Sequence, residues 1–277
     1  MPQNSNFFEL LSYEHPPNVA QFNVKDDTLG IASGVGTPNY SQKAALKELS
    51  IESPNLVFIG DEVFASQTLL TNVNINCPKV RIIGVDFLKN SKYLSSSEFV
   101  VSNGLLLKVN STSMEITLPD RVSIIAPGSI NSSVTTVKNT ENLVAILAKA
   151  FTNSKLTSFS FGNKLEYIGE LAFNWCSNLK IDVLDLTAVK YIADNAFNQC
   201  KLINTIIINS EAEYIGSKLF NYDNNTSHNI FIYGDYINPK WDGSFNQASG
   251  GIVNTYFYSE TYKEGTWHYQ DGNAQLW

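Results

Sequence analysis

The amino-acid sequence predicts a β-rich solenoid with one coil per repeat, and three observations carry that prediction. First, a six-residue phrase, Ile-(Gly/Ala)-x-x-(Ala/Val)-Phe, recurs. It reads Ile59-Gly60-Asp61-Glu62-Val63-Phe64, Ile168-Gly169-Glu170-Leu171-Ala172-Phe173 and Ile192-Ala193-Asp194-Asn195-Ala196-Phe197, then Ile215-Gly216-Ser217-Lys218-Leu219-Phe220. Looser copies lie at Ile83-Gly84 with Phe87, Ile125-Ala126 with Ile130, and Ile146 with Ala150-Phe151. Second, by subtraction of those residue numbers, successive isoleucines are 24, 42, 21, 22, 24 and 23 residues apart. A period in the low twenties belongs to stacked coils that bury their apolar sides only against their neighbours. Third, each copy follows a short apolar, strand-like run.

Taken in order, residues 1–16 are expected to cap the stack, with Phe7, Phe8, Leu10 and Leu11 as apolar contacts. The solenoid then covers 17–233. A weak first unit, Val19-x-x-Phe22-x-Val24 with Leu29, precedes its counterpart by 27 residues. Leu46, Leu49, Ile51, Leu56 and Ile59 each have an apolar partner 24 residues on, at Leu70, Val73, Ile75, Val80 and Ile83. Leu49 and Ile51 are two apart, so both face one side of a strand while Ser50 faces the other. Gly60 is expected to permit a sharp bend after the strand.

The spacing of 42 marks a degenerate unit. There, residues 88–113 are expected to form a hairpin insertion, because Asn103-Gly104 between apolar runs tolerates the positive φ of a tight turn. The pattern resumes at Val134-x-x-Val137, Leu156-x-x-Phe159-x-Phe161, Leu184-x-Leu186 and Ile206-x-Ile208, giving about eight coils by the period. Residues 234–277 are expected to close the last coil with an aromatic hairpin built from Tyr256-Phe257-Tyr258 and Trp267-His268-Tyr269 through Trp277.

Nineteen basic and 26 acidic residues give a net charge of -7, and no basic stripe is present, which disfavours nucleic acid and anionic membrane surfaces as partners. No apolar stretch reaches the roughly 18 residues of a membrane helix. Residues 1–16 lack the cationic start and apolar core of a secretory leader. Ser33-Gly34-Val35-Gly36 reads as a flexible turn.

The chemistry expected of the chain is sparse. Cys77, Cys176 and Cys200 read as small buried side chains; the last two are one repeat apart, and neither a disulfide pattern nor Cys-x-x-Cys spacing is present. His15, His228 and His268 have no second ligand at metal spacing, so no metal and no cofactor are expected. Asp185 and Asp194 read as solvated acids, not a catalytic pair. Asp26-Asp27 and Asn221-Tyr222-Asp223-Asn224-Asn225 read as polar loops, since the spacing of a calcium loop is absent. Tyr256, Tyr258, Trp267 and Tyr269 are the rival site: either a cap over the last coil or a stacking platform for sugar.

Ile168-Gly169-Glu170-Leu171-Ala172-Phe173-Asn174-Trp175-Cys176 and Ile192 to Cys200 resemble the BspA-type (treponemal-type) leucine-rich repeat, as does the strand-plus-proline phrase Ile116-Thr117-Leu118-Pro119. The resemblance covers roughly residues 17–277. It implies an α/β horseshoe-type leucine-rich repeat solenoid, right-handed, β-rich with short helical turns. It also implies a bacterial cell-adhesion or protein-binding role, at a cell surface or on a virion.

Function is therefore expected at the surface and not in a pocket: non-enzymatic recognition of a protein or glycan by a monomer, through the face carrying one strand per coil. Its outward positions are Ser50, Asn74, Thr117, Lys138, Ser160, Asp185 and Ile207. Strands about 4.8 Å apart would make that face on the order of 40 Å long. Two other classes are a prophage tail or baseplate component and a carbohydrate-active C-terminal module.

Overall fold

The structure, a computed structural model, describes residues 9–10, 20–24, 28–38, 45–221 and 226–277. Phe7, Phe8, Leu11, His15, Val19, Asp26, Asp27 and residues 222–225 lie outside the described residues. The chain forms two compact units, Met1–Ser111 with Arg121–Ser129, and Thr112–Asp120 with Ile130–Trp277. Each is a β-solenoid of stacked coils.

In the first unit, Gln21–Val24, Glu48–Glu52 and Asn72–Asn76 pair in parallel. Their register sets Phe22 beside Leu49, Leu49 beside Val73 and Ile51 beside Ile75, the offsets that the apolar pattern predicts. A second parallel sheet of two-residue strands, Glu9–Leu10, Gly30–Ile31, Phe58–Ile59 and Ile82–Ile83, carries the isoleucines of the recurring phrase. Leu49, Ile51, Leu56, Ile59, Val63 and Phe64 fill the space between them.

Ser33, Gly34, Val35 and Gly36 form a turn, as expected, and they also complete a copy of the phrase beginning at Ile31, with Gly36 where phenylalanine stands elsewhere. A Cβ on Gly36 would lie 2.1 Å from the Phe64 ring, so Phe64 occupies the missing side chain's room and packs on Phe22 at 5.2 Å.

Phe99–Ser102 and Leu105–Val109 form an antiparallel hairpin that turns at Asn103-Gly104, both at positive φ. Its second strand also pairs in parallel with Ile124–Ile125, Leu106 beside Ile125. Leucine thus stands where the phrase calls for isoleucine, which accounts for the doubled spacing.

In the second unit the strands of the strand-bearing side form two groups. Glu115–Thr117, Thr136–Lys138 and Ser158–Phe159 make one. Ile181–Asp185, Ile203–Asn209, Ser227–Tyr233 and Ile252–Tyr258 make the other, all in parallel. Thr266–Gln270 adds in parallel to Ile252–Tyr258, so the closing hairpin consists of Thr266–Gln270 and Asn273–Leu276 alone. The phrase's isoleucines lie on Ala145–Ile146, Tyr167–Ile168, Tyr191–Ile192 and Tyr214–Ile215.

Its phenylalanines form a buried column: Phe151 on Phe173 at 5.1 Å, Phe173 on Phe197 at 5.5 Å, Phe197 on Phe220 at 6.1 Å. His228, also buried, ends the column by stacking on Phe220 at 4.0 Å.

On the third side, where short helical turns are expected, the backbone bonds from coil to coil. Lys149, Phe151 and Asn153 donate their N–H groups to the carbonyls of Glu170, Ala172 and Asn174. Leu171, Phe173 and Trp175 repeat the pattern onto Asp194, Ala196 and Asn198. Lys149, Asn153, Leu171 and Trp175 have positive φ, and this alternation turns successive amides along the stack, satisfying groups that burial would otherwise orphan. The one helix among the described residues is a single 3₁₀ turn, Lys92–Ser95.

The glycine of the phrase stands where the chain turns out of the strand, and it also serves close approach. A Cβ on Gly60 would sit 2.4 Å from the Ser33 nitrogen, and one on Gly169 would sit 2.4 Å from that of Ala148, each in the preceding coil. The cysteines are buried, free thiols. Cys176 donates to the Phe151 carbonyl at 3.1 Å and Cys200 to that of Phe173 at 3.0 Å, each tying one coil to the coil before.

Candidate binding face

The strand-bearing side of the second unit is open at one group of strands and closed at the other. Along Glu115–Thr117, Thr136–Lys138 and Ser158–Phe159, Ile116, Val137 and Phe159 point inward and are buried. Thr117, Lys138 and Ser158 point outward and are exposed, as is Ser160 just beyond its strand. The register places Glu115, Thr136 and Ser158 in one row and Thr117 beside Lys138. Lys138 Nζ reaches diagonally to Glu115 Oε1 at 2.5 Å, an exposed pair that water can open cheaply. A shallow depression of about 430 Å³ crosses this area, lined by Lys138, Asn139, Glu141, Ser158 and Ser160 among others.

In the first unit Ser50 and Asn74 are half-buried and engaged with their neighbours. Asn74 Nδ2 donates to Glu52 Oε1 at 2.6 Å and Ser50 Oγ at 3.3 Å, while Asn103 Nδ2 donates to Asn74 Oδ1 at 2.6 Å. A ligand there must displace bonds already made.

At the C-terminal strands the outward row runs Asp185, Ile207, Phe231, Tyr256. Ile207 is 1% exposed and Phe231 4%, because Trp267 lies over them, fully buried. Its indole stacks on Phe231 at 5.1 Å and 21°, and its Nε1 donates to the Ile232 carbonyl at 3.0 Å. Ile207 is therefore not a surface residue, and Trp267 is no platform for a ligand. The sheet's last strands bring Trp267 onto the outer side, where burying an indole and two large apolar side chains is strongly favourable.

Tyr256 meets Phe231 edge-on at 5.6 Å, and Tyr258 packs against Trp267 at 5.1 Å; both are half-buried. Tyr269 remains 38% exposed. Beside it stands Tyr233, 42% exposed, which sequence reasoning missed although it lies two residues after the outward Phe231. Asp185 is exposed at the edge of this cluster and accepts the N–H and hydroxyl of Thr187 at 2.9 and 2.6 Å.

Asp194 accepts the Ser217 N–H of the next coil at 2.7 Å, a bond within the stack. His268 stacks on Trp277 at 3.6 Å. Each of these groups is engaged in holding its coil or its hairpin.

The repeat architecture has known counterparts. Residues 34–105 and 108–227 match the family model described as BspA type Leucine rich repeat region, in six copies. The chain belongs to the BspA-type leucine-rich repeat family. Among solved structures, the pneumococcal vaccine antigen PcpA is 16% identical, aligned over 90% of this chain and 78% of its own, with a TM-score of 0.52. A leucine rich cell surface protein from Faecalibacterium prausnitzii A2-165 is 17% identical over 84% of this chain and 73% of its own, with a TM-score of 0.30. No curated protein matches the sequence. What the family and the PcpA likeness establish is the leucine-rich repeat architecture.

Proposed function

We propose that the chain is a non-enzymatic binding protein that recognises a protein or glycan through its strand-bearing face, centred on Thr117, Lys138, Ser158 and Ser160. The observation that carries this reading is the open polar area between Glu115 and Ser160, where Thr117, Ser158 and Ser160 are exposed and small. Small hydroxyl side chains let a partner's backbone or sugar ring approach closely, and the Lys138–Glu115 pair offers both signs of charge. With few large anchors in that area, the affinity should be modest.

The experiment is a protein and glycan array probed with the wild-type chain and with Ser160→Arg. Loss of the wild-type hits in Ser160→Arg supports this face. Hits that survive Ser160→Arg unchanged exclude it. Asn74→Arg makes the same test of the first unit's face.

A further inference from the structure

A depression of about 410 Å³ opens beside the covered aromatic cluster, lined by Thr187, Ala188, Asn209, Tyr233 and Tyr269. We infer that it is a second binding site, for a neutral pyranose unit of an oligosaccharide. This inference stands independently of the face centred on Thr117, Lys138, Ser158 and Ser160, because none of those residues lines this depression.

Such a sugar has an apolar face of C–H groups and a rim of hydroxyls, so it needs an aromatic surface beside separated donors and acceptors. Tyr233 and Tyr269 supply the surface, with ring centroids 6.5 Å apart and planes inclined at 51°. Trp267 packs beside both, at 6.2 Å from Tyr233 and 5.1 Å from Tyr269, which restricts the rings before a ligand arrives.

Asn209 Oδ1 is taken by the Glu211 N–H at 2.9 Å, which leaves the Nδ2 group to donate to a hydroxyl. Asp185 holds Thr187, one of the lining residues, by accepting its N–H and hydroxyl on Oδ1. The carboxylate also disfavours acidic sugars. Burial, then the Asp185 charge and the neighbouring Tyr233 and Tyr258, push the Tyr269 phenol up, keeping it a neutral donor.

The test is calorimetric titration of the full chain with maltotriose, cellotriose and chitotriose. The inference expects binding of at least one trisaccharide. Tyr269→Ala and Asn209→Ala should each weaken it by about tenfold, roughly what one aromatic contact or hydrogen bond contributes. Tyr269→Phe should weaken it less than Tyr269→Ala. Asn209→Ala removes a side chain at a strand end, so the test stands even if Tyr269→Ala does not fold. Failure of all three sugars to bind at about 10 mM, an affinity weaker than a specific site should show, would overturn the inference. Binding that Asn209→Ala and Tyr269→Ala leave intact would do the same.

Discussion

Ser160 and Ile207 occupy equivalent outward positions on coils of the same unit, yet one is exposed and the other buried. Around Ser160 no described residue covers the strands, and Thr117, Ser158 and Ser160 are short, polar and exposed. Around Ile207 the sheet continues for further strands, and the last parallel strand delivers Trp267 onto the outer side. The outside of a solenoid is thus not one surface. Its chemistry depends on whether a large side chain from a later strand covers it.

The comparison is sharpest when stability is measured at both places. Trp267→Ala removes a fully buried indole and its bond to the Ile232 carbonyl, and should cost about 3–5 kcal/mol. Ser160→Ala, on the open side, should stay within about 0.5 kcal/mol of wild type. Urea unfolding curves of the two variants decide the matter: equal, small losses would mean that the C-terminal cluster is not a core.

A smaller effect concerns pH. The folded-state pKa of Tyr269 is raised, chiefly by burial, with Asp185 adding to it. For an acid that is neutral when protonated, a raised value means the folded state holds the proton more tightly. Its stabilising contribution is complete below the unfolded value of about 10 and is lost as pH climbs through the folded value. The urea midpoint should fall above about pH 10, and Tyr269→Phe should fall less steeply than wild type. Parallel curves for the two would remove Tyr269 from the account.

The repeat period was legible because each coil must bury apolar side chains on its neighbour: Leu49, Val73, Ile51 and Ile75 declare their register by spacing alone. The copy at Ile31 was hidden because Gly36 lacks the diagnostic ring and Phe64 of the next coil fills the gap. Alternation along Ile203–Asn209 correctly turns Ile207 away from the coil interior. It carries no information about Trp267, whose arrival depends on how the final strands add to the sheet. Tyr233 and Asn209 were legible in principle, since each follows an outward residue at a spacing of two. Thr187 was not, because its place is set by the turn around Asp185.

Thiol accessibility tests the division between open and closed outer surface most directly, since the three native cysteines are buried and give a low background. Ser160→Cys and Ile207→Cys should be compared under native conditions with a maleimide reagent. The structure predicts rapid labelling of Ser160→Cys and labelling of Ile207→Cys only once urea unfolds the chain. Equal native rates at the two positions would contradict it.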